Sequence, residues 1–188
     1  MASPFYGVDL GSLSTFLVAE SGDIIRNELG GHSSESLVGF AGKERAIGAA
    51  AAAQASTNPK NTVGQLHLLL GTGATTTVQY KDEAVEFAPE ALVAMLLAKL
   101  KGLAAAKAAE GDAAATAATA AGRFAFAVPG WYGPKHRRAL LDAAVIAQQG
   151  GAWTEPAVAV PAADCLCAVF ARKHPVAAGE PARTHCFV

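Results

Sequence analysis

Tyr6-Gly7-Val8-Asp9-Leu10-Gly11-Ser12-Leu13-Ser14, running into Thr15-Phe16-Leu17-Val18-Ala19-Glu20, is the stretch on which the fold turns. Alternation from Phe5 to Leu10 predicts a strand, Gly11-Ser12 a tight reversal, and Thr15 to Glu20 the returning strand. An acidic residue near the end of a strand, with a Gly-Ser turn behind it, can aim backbone N–H groups and hydroxyls at a phosphate. Asp9 would then stand where a hydrated Mg²⁺ is held. The same residues also describe an ordinary hairpin with a surface aspartate, because Asp and Gly are common in turns.

Working outward, Asp23 to Glu28 and Leu37 to Ala41 read as further short strands, with reversals at Gly22-Asp23 and Gly42-Lys43. Together they predict a β-meander that opens a mixed sheet. Ala46 to Ala55 has high helix propensity and should end before Asn58-Pro59, since the residue before proline is pushed out of the α region. Val63 to Leu70 reads as a second short helix closed by Gly71. Thr75 to Tyr80 and Ala84 to Phe87 predict a hairpin. Leu92, Met95, Leu96, Leu100 and Leu103 recur at helical spacing, so Ala91 to Lys107 is a helix whose stripe should face the sheet.

Ala104 to Ala121 is low-complexity Ala/Thr sequence, on which no function is placed. Phe124 to Val128 is a compact apolar strand, followed by a helix from Pro134 with Leu140, Leu141, Ala144, Val145 and Ala147 on one broad face. Strand, helix, strand, helix implies an α/β unit with at least one parallel pairing. Ala163 to Ala171 suits a helix and Thr184 to Val188 a strand. An apolar strand with no turn behind it reads as a fold cut short.

Composition narrows the functions. With 188 residues, 52% hydrophobic and 16% charged, the chain can bury one ordinary core, which excludes wholesale disorder. A net charge of −1 gives no global field toward nucleic acid or an anionic membrane. Lys99, Lys101 and Lys107 interrupt the longest candidate for a membrane span, and the N-terminus lacks the pattern of a secretory signal. A cytoplasmic or nuclear setting is the expectation. Cys165, Cys167 and Cys186 do not make a disulfide framework and should be reduced. With His174 and His185 they offer soft metal ligands but lack paired zinc spacing, so small buried residues on a helix account for them better. Lys135-His136-Arg137-Arg138 reads as a solvated basic face, and Trp131-Tyr132 as packing at a strand-to-helix corner. No serine, histidine and acid set has a spacing that argues for nucleophilic catalysis.

GVDLGSLSTFLVAE resembles the first phosphate loop of the 70-kDa heat-shock chaperone superfamily, and the Gly-Ser form of its turn is similar to the 110-kDa branch. The resemblance continues through NELGGHSSESLVGFAGKERAIGAAAAAQASTNPKNTVGQLHLLLG, VQYKDEAVEFAPEALVAMLLAKLKGLA and FAVPGWYGPKHRRALLDAAVIA. Four ordered blocks thus cover most of the chain. The tail GEPARTHCFV resembles the strand that leads into the family's second phosphate loop, and the sequence stops before that loop.

The resemblance implies an α/β actin-like ATPase lobe, ribonuclease H-like, with a mixed sheet and flanking helices. Residues 1–188 would form the first lobe of a nucleotide-binding domain that clasps Mg-ATP, cut before the second lobe. It implies ATP and Mg²⁺ as cofactors, and unfolded polypeptides and 70-kDa heat-shock chaperones as partners, the latter through nucleotide exchange. By matching positions, Asp9 would be the metal-side carboxylate, and Gly11, Ser12, Leu13 and Ser14 the phosphate-contacting turn. Glu155, in Thr154-Glu155-Pro156, matches a family carboxylate near the Mg²⁺ and attacking water, though it also reads as a solvated glutamate before proline.

Three departures bear on activity. His67 stands where the family has a catalytic lysine, and a mostly neutral imidazole cannot replace a fixed ammonium beside a γ-phosphate. A plain surface or semi-buried histidine is the simpler expectation. The connection from Gly71 to Thr77 is shorter than its family counterpart, and Gln148 to Ala163 aligns loosely. With the resemblance lacking the second phosphate loop and the adenosine-side lobe, weak or absent ATPase activity is expected of this chain alone. Two other readings remain beside it: a non-enzymatic fragment that engages a chaperone partner, and another actin-like enzyme such as a sugar kinase, which the downstream blocks disfavour.

Overall fold

The computed structural model describes residues 4–109, 122–149, 156–176 and 184. Its main sheet has five strands, formed by β1 (Phe5–Leu10), β2 (Ser14–Ala19), β3 (Ser34–Glu35), β9 (Arg123–Val128) and β10 (Val158–Pro161). Their order is β10-β9-β1-β2-β3, with β1–β2 and β2–β3 antiparallel and β1–β9 and β9–β10 parallel. The predicted hairpin, mixed sheet and parallel pairing are all present.

One row of register explains the inner face. Val8 lies opposite Leu17 on one side and Phe126 on the other, and all three are buried. Because strand side chains alternate, Tyr6, Val8, Leu10, Phe124, Phe126 and Val128 turn to the core, while Gly7, Asp9, Ala125 and Ala127 turn away. Helices α3 (Pro89–Ala109) and α4 (Pro134–Gln148) pack against each other, and their buried residues join the sheet's inner face in one core. Pro89 opens α3, where its missing N–H costs no helical bond.

Helix α3 buries Val93 and Leu97 as well as the expected Leu92, Leu96 and Leu100. Its apolar surface is wider than a single sheet-facing stripe because it packs on α4 and also meets β2, β4 (Val38–Ala41) and β5 (Glu44–Ile47). On α4 the face is rotated from expectation. Ala139, Leu140, Ala143, Ala144 and Ala147 are buried, but Val145 points to solvent.

A second sheet has the order β5-β4-β6, with β6 at Thr62–Val63, and β7 (Thr76–Tyr80) and β8 (Glu83–Phe87) form a separate hairpin. Phe40 of β4 stacks on Phe87 at 4.9 Å and meets Tyr80 edge-on at 5.4 Å, which joins hairpin to sheet. The Asn58-Pro59-Lys60-Asn61 segment supplies polar ties in the same place. The Asn58 amide donates to the Phe40 carbonyl at 2.7 Å, and Asn61 Oδ1 accepts from the Gln79 N–H at 2.9 Å.

Several expectations are corrected here. Asp23 to Glu28 is not a strand: one bridge joins Ile24 to Val18. Beyond it, Asn27 Oδ1 accepts from the N–H groups of Leu29 and Gly31, so the side chain turns the backbone on itself in place of a ladder. The helix expected over Ala46 to Ala55 shortens to α1 (Ala49–Gln54), because Ala46 and Ile47 pair with β4 and Gly48 takes φ 68°. The helix expected over Val63 to Leu70 shortens to α2 (Leu66–Leu69), because Val63 pairs with Val38 and Gln65 takes φ 51°. The hairpin turn at Lys81-Asp82 has positive φ at both residues, which matches the twist of its strands.

Helix α5 (Ala162–Lys173) forms where a helix was expected but has no buried residue. Cys165 is partly exposed and Cys167 exposed, so the expectation of small buried residues there fails. Among the described residues no His, Cys, Asp and Glu group could hold a metal ion on its own. Glu155, His185, Cys186, the strand expected at Thr184 to Val188, and most of the Ala/Thr segment lie outside the described residues.

Candidate functional site

The turn between β1 and β2 is built closely. The Gly11 N–H donates to the Ser14 carbonyl at 3.2 Å, and a Cβ at Gly11 would meet that carbonyl oxygen at 2.6 Å. Only glycine leaves room for this closure. Leu13 is fastened through its carbonyl, which accepts from the Ser36 N–H at 2.9 Å, while its side chain is 79% exposed. Beneath the turn, the Thr15 and Ser36 hydroxyls are hydrogen-bonded at 2.8 Å in the interior.

Among the described residues, neither the Ser12 nor the Leu13 amide donates a hydrogen bond. Two N–H groups without a partner and a hydroxyl therefore sit together on a fixed turn, which is an anion-receptive arrangement. Asp9 is exposed and lies one residue back from the strand end, opposite Phe16 and Ala127. It supplies a single carboxylate. That is compatible with Mg²⁺, which keeps much of its water and is held through one or two carboxylates plus substrate phosphates.

His67 arrives from α2. Its Nε2 lies 3.4 Å from Ser12 Oγ, across 55 residues of sequence. The residue is only 7% exposed, and burial pushes its pKa below the usual histidine value. It is therefore a neutral buried imidazole, deeper than the surface or semi-buried histidine expected. Its Nδ1 is buried with no hydrogen-bond partner. Its backbone is held from the far side of the chain, where the Tyr132 hydroxyl donates to the His67 carbonyl at 2.7 Å.

Tyr132 belongs to the corner between β9 and α4. It is buried, and burial pushes its hydroxyl up to about 12, so it remains a donor throughout the neutral range. Trp131 beside it is 53% exposed, with its ring 4.7 Å from Tyr132 and 6.2 Å from His67. Corner packing thus holds for Tyr132, while Trp131 faces solvent at the rim of the site. The solvated face expected of the basic cluster at the start of α4 holds for Lys135 and Arg138, which pairs with Asp142 at 2.9 Å. His136, however, accepts from the Gly133 N–H at 3.2 Å and Arg137 donates to the Tyr132 carbonyl at 3.2 Å, both half-buried in the corner.

The structure brings the Gly11–Ser14 turn and His67 into one place, while Asp9, two residues before the turn, turns its side chain to the outer face of the sheet. Sequence reasoning missed Tyr132 as the support for His67 and Ser36 as the fastener of the turn. Nothing local marks either contact, because each joins segments far apart in the chain. On the other face of the sheet, Gly7, Asp9, Val18, Ala127, Val160 and Cys165 line an open depression of about 260 Å³.

Comparison with known proteins places relatives beside this chain. A family model described as Hsp70 protein matches residues 5–79, which include both the turn and His67. Heat shock protein hsp88 of Neurospora crassa is 32% identical over 169 residues, covering 75% of this chain and 22% of the relative. A heat shock protein homolog of Naumovozyma castellii is 29% identical over 174 residues, covering 78% of this chain and 24% of the relative. A ribosome-associated molecular chaperone of Saccharomyces cerevisiae is 30% identical over 165 residues, covering 74% of this chain and 25% of the relative. The chain spans about a quarter of the length of these curated relatives.

Proposed function

Because the chain belongs to the Hsp70/Hsp110 family, we propose that the Gly11–Ser14 turn binds the phosphates of ATP in the service of a protein-folding chaperone. The observation that carries this reading is the Ser12–His67 contact at 3.4 Å beside two unpaired amides. The turn would take phosphate oxygens on the Ser12 and Leu13 N–H groups and the Ser12 hydroxyl. Asp9 would hold the water shell of a phosphate-borne Mg²⁺, which in a complete domain shields charge during phosphoryl transfer to water.

ATP hydrolysis by this chain should be weak or absent. His67 brings no fixed positive charge to stand beside a γ-phosphate. Unfolded polypeptides are the proposed substrates of the whole chaperone and 70-kDa chaperones its proposed exchange partners, in a cytoplasmic or nuclear setting. Calorimetric titration of the 188-residue chain with Mg-ATP tests the reading, with circular dichroism on the same sample to establish folding. Saturable binding that weakens in Asp9→Ala is expected. Rapid turnover that disappears in Asp9→Ala would defeat the proposal of weak hydrolysis.

A second reading, a non-enzymatic fragment acting through protein contacts, is favoured by α5, which buries no residue and exposes Leu166 and Val169. Folded protein with no binding heat, confirmed by a second binding method, would select it.

A further inference from the structure

His67 is the only buried histidine among the described residues, and it adjoins a turn whose Ser12 and Leu13 amides have no partner. Either neutral tautomer leaves an atom unsatisfied. If Ser12 donates into Nε2, the ring proton sits on Nδ1 and points at no acceptor; if Nε2–H donates to Ser12, Nδ1 is a bare acceptor. The ring is held neutral by lack of water and lacks any opposing charge.

The groups around it do not supply that charge. On the β1–β2 side stand the Ser12 hydroxyl and, further along β1, the exposed Asp9. On the β9–α4 side stand the Trp131 ring, Tyr132 and His136, whose ring stacks on Tyr132 at 5.2 Å. The Tyr132 hydroxyl is spent on the His67 carbonyl. On α3, which packs against α2, the nearest acidic residue to the first turn is Glu90, which lines a separate surface with Lys135 and Arg138. Among the described residues no ion pair involves His67.

A phosphate oxygen seated on the Ser12 hydroxyl and amide would lie within reach of the same Nε2 edge. Its negative charge favours the imidazolium, opposing the effect of burial. We infer that phosphate binding at the Gly11–Ser14 turn is coupled to uptake of one proton by His67, so that the site takes a phosphoanion more tightly below neutral pH. The proton comes from the buffer acid and ends on the imidazole, and no bond to phosphorus is made or broken. The inference rests on the phosphate-binding reading above and specifies how that site is regulated.

The test is calorimetric titration of the 188-residue chain with Mg-ATP at pH 6, 7 and 8, in buffers of different ionisation enthalpy. Net proton uptake is expected, with affinity rising about three- to sixfold from pH 8 to pH 6 if binding raises the His67 pKa by about one unit. Proton uptake by His67 should disappear in His67→Gln, leaving only the titration of ATP itself. His67→Lys should bind at pH 8 about as tightly as the parent does at pH 6. Equal proton uptake and equal pH dependence in the parent and His67→Gln would overturn the coupling while leaving phosphate binding intact. No binding at any pH by folded protein would overturn the phosphate-binding reading, and the coupling with it.

Discussion

The Tyr132 hydroxyl holds the main-chain carbonyl of His67 at 2.7 Å, 65 residues away in sequence. This bond ties the four-residue helix α2 to the corner between β9 and α4, and so fixes the imidazole beside the turn. Tyr132→Phe keeps the ring and its stacking but leaves a buried carbonyl unsatisfied. Stability should fall by about 1 to 3 kcal/mol, measured by urea denaturation. Mg-ATP affinity should fall with it, since His67 loses its support.

Gly11→Ala should disrupt the turn itself. The added methyl would sit 2.6 Å from a backbone oxygen that cannot swing away. A loss of about 1 to 3 kcal/mol is expected in a thermal melt, with phosphate binding reduced more than tenfold. An alanine variant with unchanged binding would show that the turn does not need its tight closure.

Phe40→Ala tests the second sheet and its hairpin. Phe40 is fully buried between Phe87 and Tyr80, so its removal takes away the stack that joins them. A cost of roughly 3 to 5 kcal/mol is expected from denaturant titration. Ordinary domains have about 5 to 15 kcal/mol in all, so this variant should keep only part of the parent's stability.

Acid should destabilise the native chain partly through His67. Burial lowers its pKa in the fold, so below about pH 6.5 the unfolded chain binds a proton that the native chain refuses. The associated stability is fully present above that pH and is lost as pH falls through the lower native value. Denaturant melts across pH 7.5 to 5 should show a shallower acid decline in His67→Gln than in the parent. Parallel curves would mean that the ring is not responsible.

Sequence patterns located β1, β2, β4, the β7–β8 hairpin, α3, β9 and α4 because period and turn chemistry are local signals. They failed where a long-range partner outweighed propensity. Ala46 and Ile47 belong to an alanine-rich run, yet β4 takes them into a sheet. Val63 lies in a helix-like stretch, yet it pairs with Val38. At the site, the turn itself was legible, since Gly and Ser at that spacing carry their own geometry. The depth of His67 was not, because its burial depends on Tyr132 and the corner that carries it.

The central place of β1 also sets a schedule for the ribosome. Phe5 must wait for Arg123, its parallel neighbour, to be synthesised before that edge of β1 can pair. At ordinary translation speeds of about 5 to 20 residues per second, the delay is on the order of 6 to 24 seconds. β2 can cover one edge of β1 at once, through a short hairpin, but the other edge stays bare throughout that interval. The nascent strand that carries Asp9 therefore presents an open backbone edge for as long as it takes to make most of the chain.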